Sequence, residues 1–148
     1  MAYEFKLKKR VEFAETDAAG ILHFSNYFRF MELTEHAFFR SLGFSVHGGT
    51  RPRIGWPRVQ VKCDYLKPLN FEDLVEIQLL VKEKKRKAIE YQFIFYKIGN
   101  GSAQLEVARG TMTVVCIGFD ENGMIQGAIS IPDEISSKIE SAPQELFE

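Results

Sequence analysis

Glu15-Thr16-Asp17-Ala18-Ala19-Gly20-Ile21-Leu22-His23-Phe24-Ser25-Asn26-Tyr27-Phe28-Arg29-Phe30 is the stretch of this 148-residue chain best equipped for chemistry. An alternating strand pattern ends, small residues carry one acidic side chain, and an apolar helical pattern begins at once. Such a junction can hold a carboxylate beside the unsatisfied N–H groups of a helix N-terminus. The carboxylate can attack a carbonyl or activate water, and the N–H groups can stabilise negative charge developing on a carbonyl oxygen. Asp17 lies seven residues before Phe24, where the helical pattern starts, which is too far for it to cap a helix beginning there. Gly20 stands between them, where a backbone turns tightly or lets a ligand approach. On spacing alone, an aspartate that merely closes a turn stays open beside the catalytic reading.

Periodicity identifies the elements that must position these residues. Tyr3, Phe5, Leu7, Val11 and Phe13 share one face of an opening strand, with Glu4, Lys6, Lys8 and Glu12 on the other. Residues 24–42 read as a helix so apolar that Ser25, Arg29, Glu32, His36 and Arg40 form only a narrow polar seam, with Gly43 placed to end it. A glycine- and proline-bearing loop over 45–57 follows. Strand-like stretches then cover 59–65, 75–81, 89–95 and 103–119. Lys84-Lys85-Arg86-Lys87 and Asn100-Gly101 separate the last three, and Asn122-Gly123 turns a further short strand. Ser130-Ile131-Pro132-Asp133 predicts a capped short helix with proline at its first position. One buried helix and a run of antiparallel strands predict an α+β fold, a sheet curled around that helix. Ile94, Tyr96 and Ile98, with Met112, Val114 and Cys116, predict a second apolar sheet face, buried by another subunit.

Asp17, Gly20 three residues later, the aromatic Phe24 and the pair Asn26-Tyr27 resemble the active-site segment of the 4-hydroxybenzoyl-CoA thioesterase family, the hotdog-fold acyl-CoA thioesterases. The resemblance implies one hotdog domain over 1–148, five or six antiparallel strands wrapped around one long central helix. It implies that Asp17 attacks the thioester carbonyl to form a mixed anhydride, or else serves as general base for water. It implies that the backbone N–H of Phe24 polarises that carbonyl, with Gly20 completing the loop. Asn26 and Tyr27 match substrate-binding positions, and Trp56 falls near where the acyl pocket is lined. His23 departs from the pattern and is expected at the pocket rim. Arg86 and Lys87 match positions where a hairpin meets the CoA nucleotide. A related subgroup carries its catalytic carboxylate on the helix, where Glu32 and Glu35 stand, but with Asp17 available these read as ion-paired or solvated. The resemblance further implies a homodimer or homotetramer with its active site between protomers.

Composition narrows the alternatives. A formal charge of −1 argues against nucleic acid or an anionic membrane as the partner. No apolar run approaches the ~18 residues of a membrane span, and the opening residues do not read as a signal peptide, so a cytoplasmic protein is expected. Cys63 and Cys116 read as free thiols, and no metal-ligand spacing is present, so no metal or organic cofactor is expected. A hotdog hydratase or dehydratase would need a histidine paired with an acid, and His23, His36 and His47 do not form that motif. A non-catalytic acyl-CoA-binding domain is the third reading.

Overall fold

Alternating charged and apolar residues build β1, Glu4–Arg10, whose odd-numbered side chains are half-buried. The strand ends sooner than periodicity suggests. Phe13 opens a single 3-10 turn, Phe13–Glu15, and its ring is 77% exposed instead of facing the core. The cause is Glu15, whose carboxylate accepts from the Glu12 N–H at 2.8 Å and folds the chain back. The coordinates are a computed structural model describing residues 1–46, 53–99 and 104–148.

The helix α1, Asn26–Ser41, buries Tyr27, Phe30, Met31, Phe38 and Phe39. Gly43 ends it as expected. At φ 91° its N–H reaches the Arg40 carbonyl and the Phe44 N–H reaches Phe39, each at 3.0 Å. This left-handed stop satisfies carbonyls the helix leaves open. The strands that follow are β2 (Ile54–Gly55), β3 (Arg58–Tyr65), β4 (Leu74–Lys84), β5 (Ala88–Ile98), β6 (Gln104–Val115), β7 (Ile117–Phe119) and β8 (Ile125–Ala128). A five-stranded antiparallel sheet, ordered β1-β4-β5-β6-β3, wraps α1 as the hotdog fold requires. The stretch read as one strand over 103–119 breaks at Cys116, and β7 leaves to join β2 and β8 in a small second sheet. Ala103, the Asn100-Gly101 turn and His47 lie outside the described residues. Near the C-terminus Pro132 takes the N-cap position of α2, Asp133–Ser136, and the Ser130 hydroxyl caps nothing there. Among the described residues no helix is long and apolar enough to cross a membrane.

The sheet corrects the argument for a second apolar face. Pairing of Ile89 with Val114 and Tyr91 with Met112 puts those β6 residues on the helix side, where Met112, Val114 and Cys116 join the core. A β-strand's faces follow from its register, and β5 sets the register of β6. The outer face holds the buried Ile94 between its cross-strand neighbours Gln78 and Arg109. A row of exposed apolar side chains lies on the edge strand β3. Val59 is 60% exposed there, and Val61 and Tyr65 are each 45% exposed.

Candidate active site

Residues 16–22 form a miniature hairpin. Thr16 and Leu22 pair as an antiparallel bridge, the Asp17 N–H donates to Ile21 at 2.8 Å, and the Gly20 N–H donates to Asp17 at 2.9 Å. Gly20 turns the chain at φ 82°, a conformation that penalises any residue with a Cβ. The hairpin is fastened from both sides. The Leu22 N–H donates to Leu69 before β4 at 2.7 Å, and the His23 N–H donates to Glu15 at 2.9 Å. The side-chain amide of Asn26, buried at the head of α1, donates to the same Glu15 carbonyl at 2.7 Å.

The hairpin and the start of α1 wall an open pocket of about 380 Å³. Asp17, Phe24 and Tyr27 line it from one side, and Tyr65, Leu66 and Lys67 line it from the end of β3 and the loop beyond. Asp17 Oδ1 accepts from the Ala19 N–H at 2.8 Å and the Ile21 N–H at 3.4 Å. The turn-closing role is therefore real, and it fixes the carboxylate's orientation. Oδ2 has no hydrogen-bond partner among the described residues, and neither has the backbone N–H of Phe24. That N–H sits two residues ahead of α1, within the positive field of a helix N-terminus, roughly half an elementary charge.

Tyr27 stands edge-on between Tyr65 and Phe95, with ring centroids 4.9 and 5.4 Å away. Burial, then the neighbouring Cys63 and Tyr65, push its hydroxyl up to about 12, so it stays a proton donor at neutral pH. Burial also pushes the Cys63 thiol up to about 11, which keeps it protonated and poorly nucleophilic. Cys116 behaves alike, buried and free.

The remaining candidates disperse. His23 stacks on Phe24 at 4.5 Å, and its Nδ1 lies 2.7 Å from the Ser25 hydroxyl and accepts from the Ser25 N–H at 3.2 Å. It does not line the pocket and serves the turn into the helix. Asn26 likewise spends its amide on Glu15 and is buried away from the pocket. Trp56 packs edge-on against Phe39, near the opposite end of α1, because β2 pairs with β7 there. It lines a separate hollow of about 500 Å³ with Glu32, His36 and Arg58. Arg86 and Lys87 occupy the β4–β5 turn outside the pocket, where Arg86 donates to the Ser130 hydroxyl at 2.7 Å.

Glu35, fully buried, takes a two-pronged pair with Arg58 at 2.5 and 3.2 Å, tying α1 to β3. Burial raises its carboxyl above the ordinary range despite the guanidinium, and burial lowers neighbouring His36. Among the described residues no three His, Cys, Asp or Glu side chains converge as a metal site would need.

The roles of three residues of consequence were not read from the sequence. Tyr65 and Lys67 read as ordinary strand and loop positions and become pocket wall only when β3 is laid beside the Asp17 hairpin. Glu15 became a hub for Lys9, Glu12 and Asn26. Its Glu-x-x-Glu spacing with Glu12 is a weak form of a capping pattern and the one available cue.

Comparison with known proteins identifies the family and the fold. Residues 11–139 match the model of the thioesterase-like superfamily. A protein of Aquifex aeolicus (strain VF5), provisionally named an esterase, is 34% identical over 131 residues, spanning 88% of this chain and 94% of its own. The 4-hydroxybenzoyl-CoA thioesterase of Pseudomonas sp. (strain CBS-3) is 29% identical over 91 residues, spanning 60% of this chain and 64% of its own. Among solved structures, a gentisyl-coenzyme A thioesterase superposes with a TM-score of 0.75 at 30% identity, covering 89% of this chain and 99% of that one. With its hotdog fold and a family match across most of its length, the chain belongs to the thioesterase-like superfamily.

Proposed function

We propose that the Asp17 pocket hydrolyses an acyl-CoA thioester to the free acid and CoA. The observation that carries this reading is one apolar pocket lined by Asp17 and Phe24, where Oδ2 of Asp17 and the Phe24 N–H both lack a partner among the described residues. In this reading the thioester carbonyl oxygen accepts from the Phe24 N–H. Oδ2 of Asp17 then attacks the carbonyl carbon and expels CoA thiolate, leaving a mixed anhydride that water cleaves. Alternatively the same oxygen takes a proton from a water that attacks directly. Both routes consume one water and yield the same products. Losing one such oxyanion donor typically costs ~3 kcal/mol of barrier. The chemistry calls on no metal or organic cofactor, CoA being part of the substrate, and a CoA substrate fits work in the cytoplasm.

The relatives named as CoA thioesterases and hydrolases support the reaction class. A hydratase is disfavoured because no histidine among the described residues lines the pocket. We further propose that a second copy of the chain covers β3, so that the assembly is a homodimer or homotetramer. The support is the exposed apolar row on a sheet edge, an arrangement that isolated proteins avoid. The test is release of free thiol from benzoyl-CoA and a panel of fatty acyl-CoAs, followed with a thiol reagent. Thiol release is expected. Loss of enoyl-CoA absorbance without thiol would point to a hydratase, and binding without turnover to a non-catalytic domain.

A further inference from the structure

The hydroxyl of Tyr65, on the last residue of β3, donates to the backbone carbonyl of Phe24 at 3.0 Å, across 41 residues of sequence. Helix contacts do not hold this part of the chain. The Asn26 N–H takes the His23 carbonyl, which shares its peptide plane with the Phe24 N–H, and the Phe28 N–H takes the Ser25 carbonyl, so the Phe24 carbonyl between them is left to the tyrosine. The Phe24 carbonyl and its N–H belong to two rigid peptide planes hinged at one Cα. The Asn26 turn bond holds the plane that carries the N–H and the tyrosine holds the plane across that Cα, so together they set the Phe24 φ and ψ that aim the N–H. The same tyrosine ring packs edge-on against Tyr27, and both line the pocket with Asp17. We infer that Tyr65 is a positioning residue, its hydroxyl holding the Phe24 peptide so that the N–H is aimed into the Asp17 pocket before substrate arrives. This rests on the reading of that N–H as the group that polarises the thioester carbonyl. It also gives the edge strand a second task, since β3 then sets the geometry of the donor as well as the pocket wall.

Tyr65→Phe keeps the ring and removes only the hydroxyl, at a residue already 45% exposed. Its kcat is expected to fall roughly fivefold to tenfold, the share of one neutral hydrogen bond, while KM stays within about twofold. A second readout separates aiming from general structural support. The acyl-CoA that the wild type cleaves fastest is labelled with carbon-13 at its carbonyl and bound to the slow Asp17→Asn variant. Its carbonyl band in isotope-edited infrared spectra should lie below that of the free thioester, and adding Tyr65→Phe should move it back toward the free position. Wild-type kcat in Tyr65→Phe would overturn the inference. So would a lowered kcat with an unmoved band, because the hydroxyl would then act elsewhere. If the wild type releases thiol from no acyl-CoA, or if Asp17→Asn turns over normally, the underlying reading of the pocket fails, and the positioning role with it.

Discussion

The places of Asp17 in the pocket wall and Gly20 in its turn were legible because few residue types suit either position. A lone carboxylate in a run of small residues is conspicuous, and a left-handed turn selects glycine. The Gly20 site offers a clean check, since an added Cβ meets no atom within 4 Å and any penalty comes from its φ of 82° alone. Gly20→Ala is expected to cost about 1 kcal/mol in denaturant unfolding and to lower kcat by displacing Asp17. Unchanged stability and turnover would mean that the turn tolerates another conformation. His23, Asn26 and Trp56 were harder to read. Their side-chain types suit a substrate pocket, yet which way each points depends on bonds to Ser25 and Glu15 and on packing against Phe39. Sequence spacing carries no information about those partners.

Among the elements, α1 and the sheet strands were readable because their apolar residues recur along the sequence with periods near 3.6 and 2. Strand parity across β5 and β6 was not, since register is fixed by pairing and the connecting residues around 100–103 say nothing of its phase. The Glu35–Arg58 pair, which joins α1 to β3, was also missed as a structural unit. Removing Arg58 strands a buried carboxylate, and Arg58→Met is expected to destabilise by about 3–5 kcal/mol at neutral pH. The folded-state pKa of Glu35 is already raised above its ordinary value, so its contribution is present in acid and lost as pH rises through the folded value. Without the guanidinium the rise is larger, so the deficit of Arg58→Met should shrink between pH 7 and pH 5 in denaturant unfolding. A deficit that grows on acidification would contradict this. The β4–β5 turn stands outside the Asp17 pocket, and substitution tests whether Arg86 and Lys87 meet the nucleotide. Arg86→Ala with Lys87→Ala is expected to raise KM for acyl-CoA several-fold with kcat nearly unchanged. The effect should vanish for an acyl-pantetheine, and equal loss on both substrates would assign the turn to folding or assembly.

For the whole molecule, the proposal of an oligomer rests on different residues from those that first suggested it. The outer sheet face is largely polar, and the apolar row sits on β3 beside the pocket mouth. The protein is expected to sediment as a dimer or tetramer at micromolar concentration, with a melting temperature that falls on dilution. Val61→Glu, which charges the middle of that edge, should shift it toward monomer. A wild-type monomer with full specific activity would remove the second copy from the account. The claim on which the rest depends is that Asp17 acts on a thioester. Its most direct measurement is kcat for thiol release by wild type and Asp17→Asn, with the two matched for fold and sedimentation. The account predicts a fall on the order of 10³ or more in the variant, the size expected for losing a nucleophile or essential base. A folded Asp17→Asn protein that releases thiol at nearly the wild-type rate would contradict it.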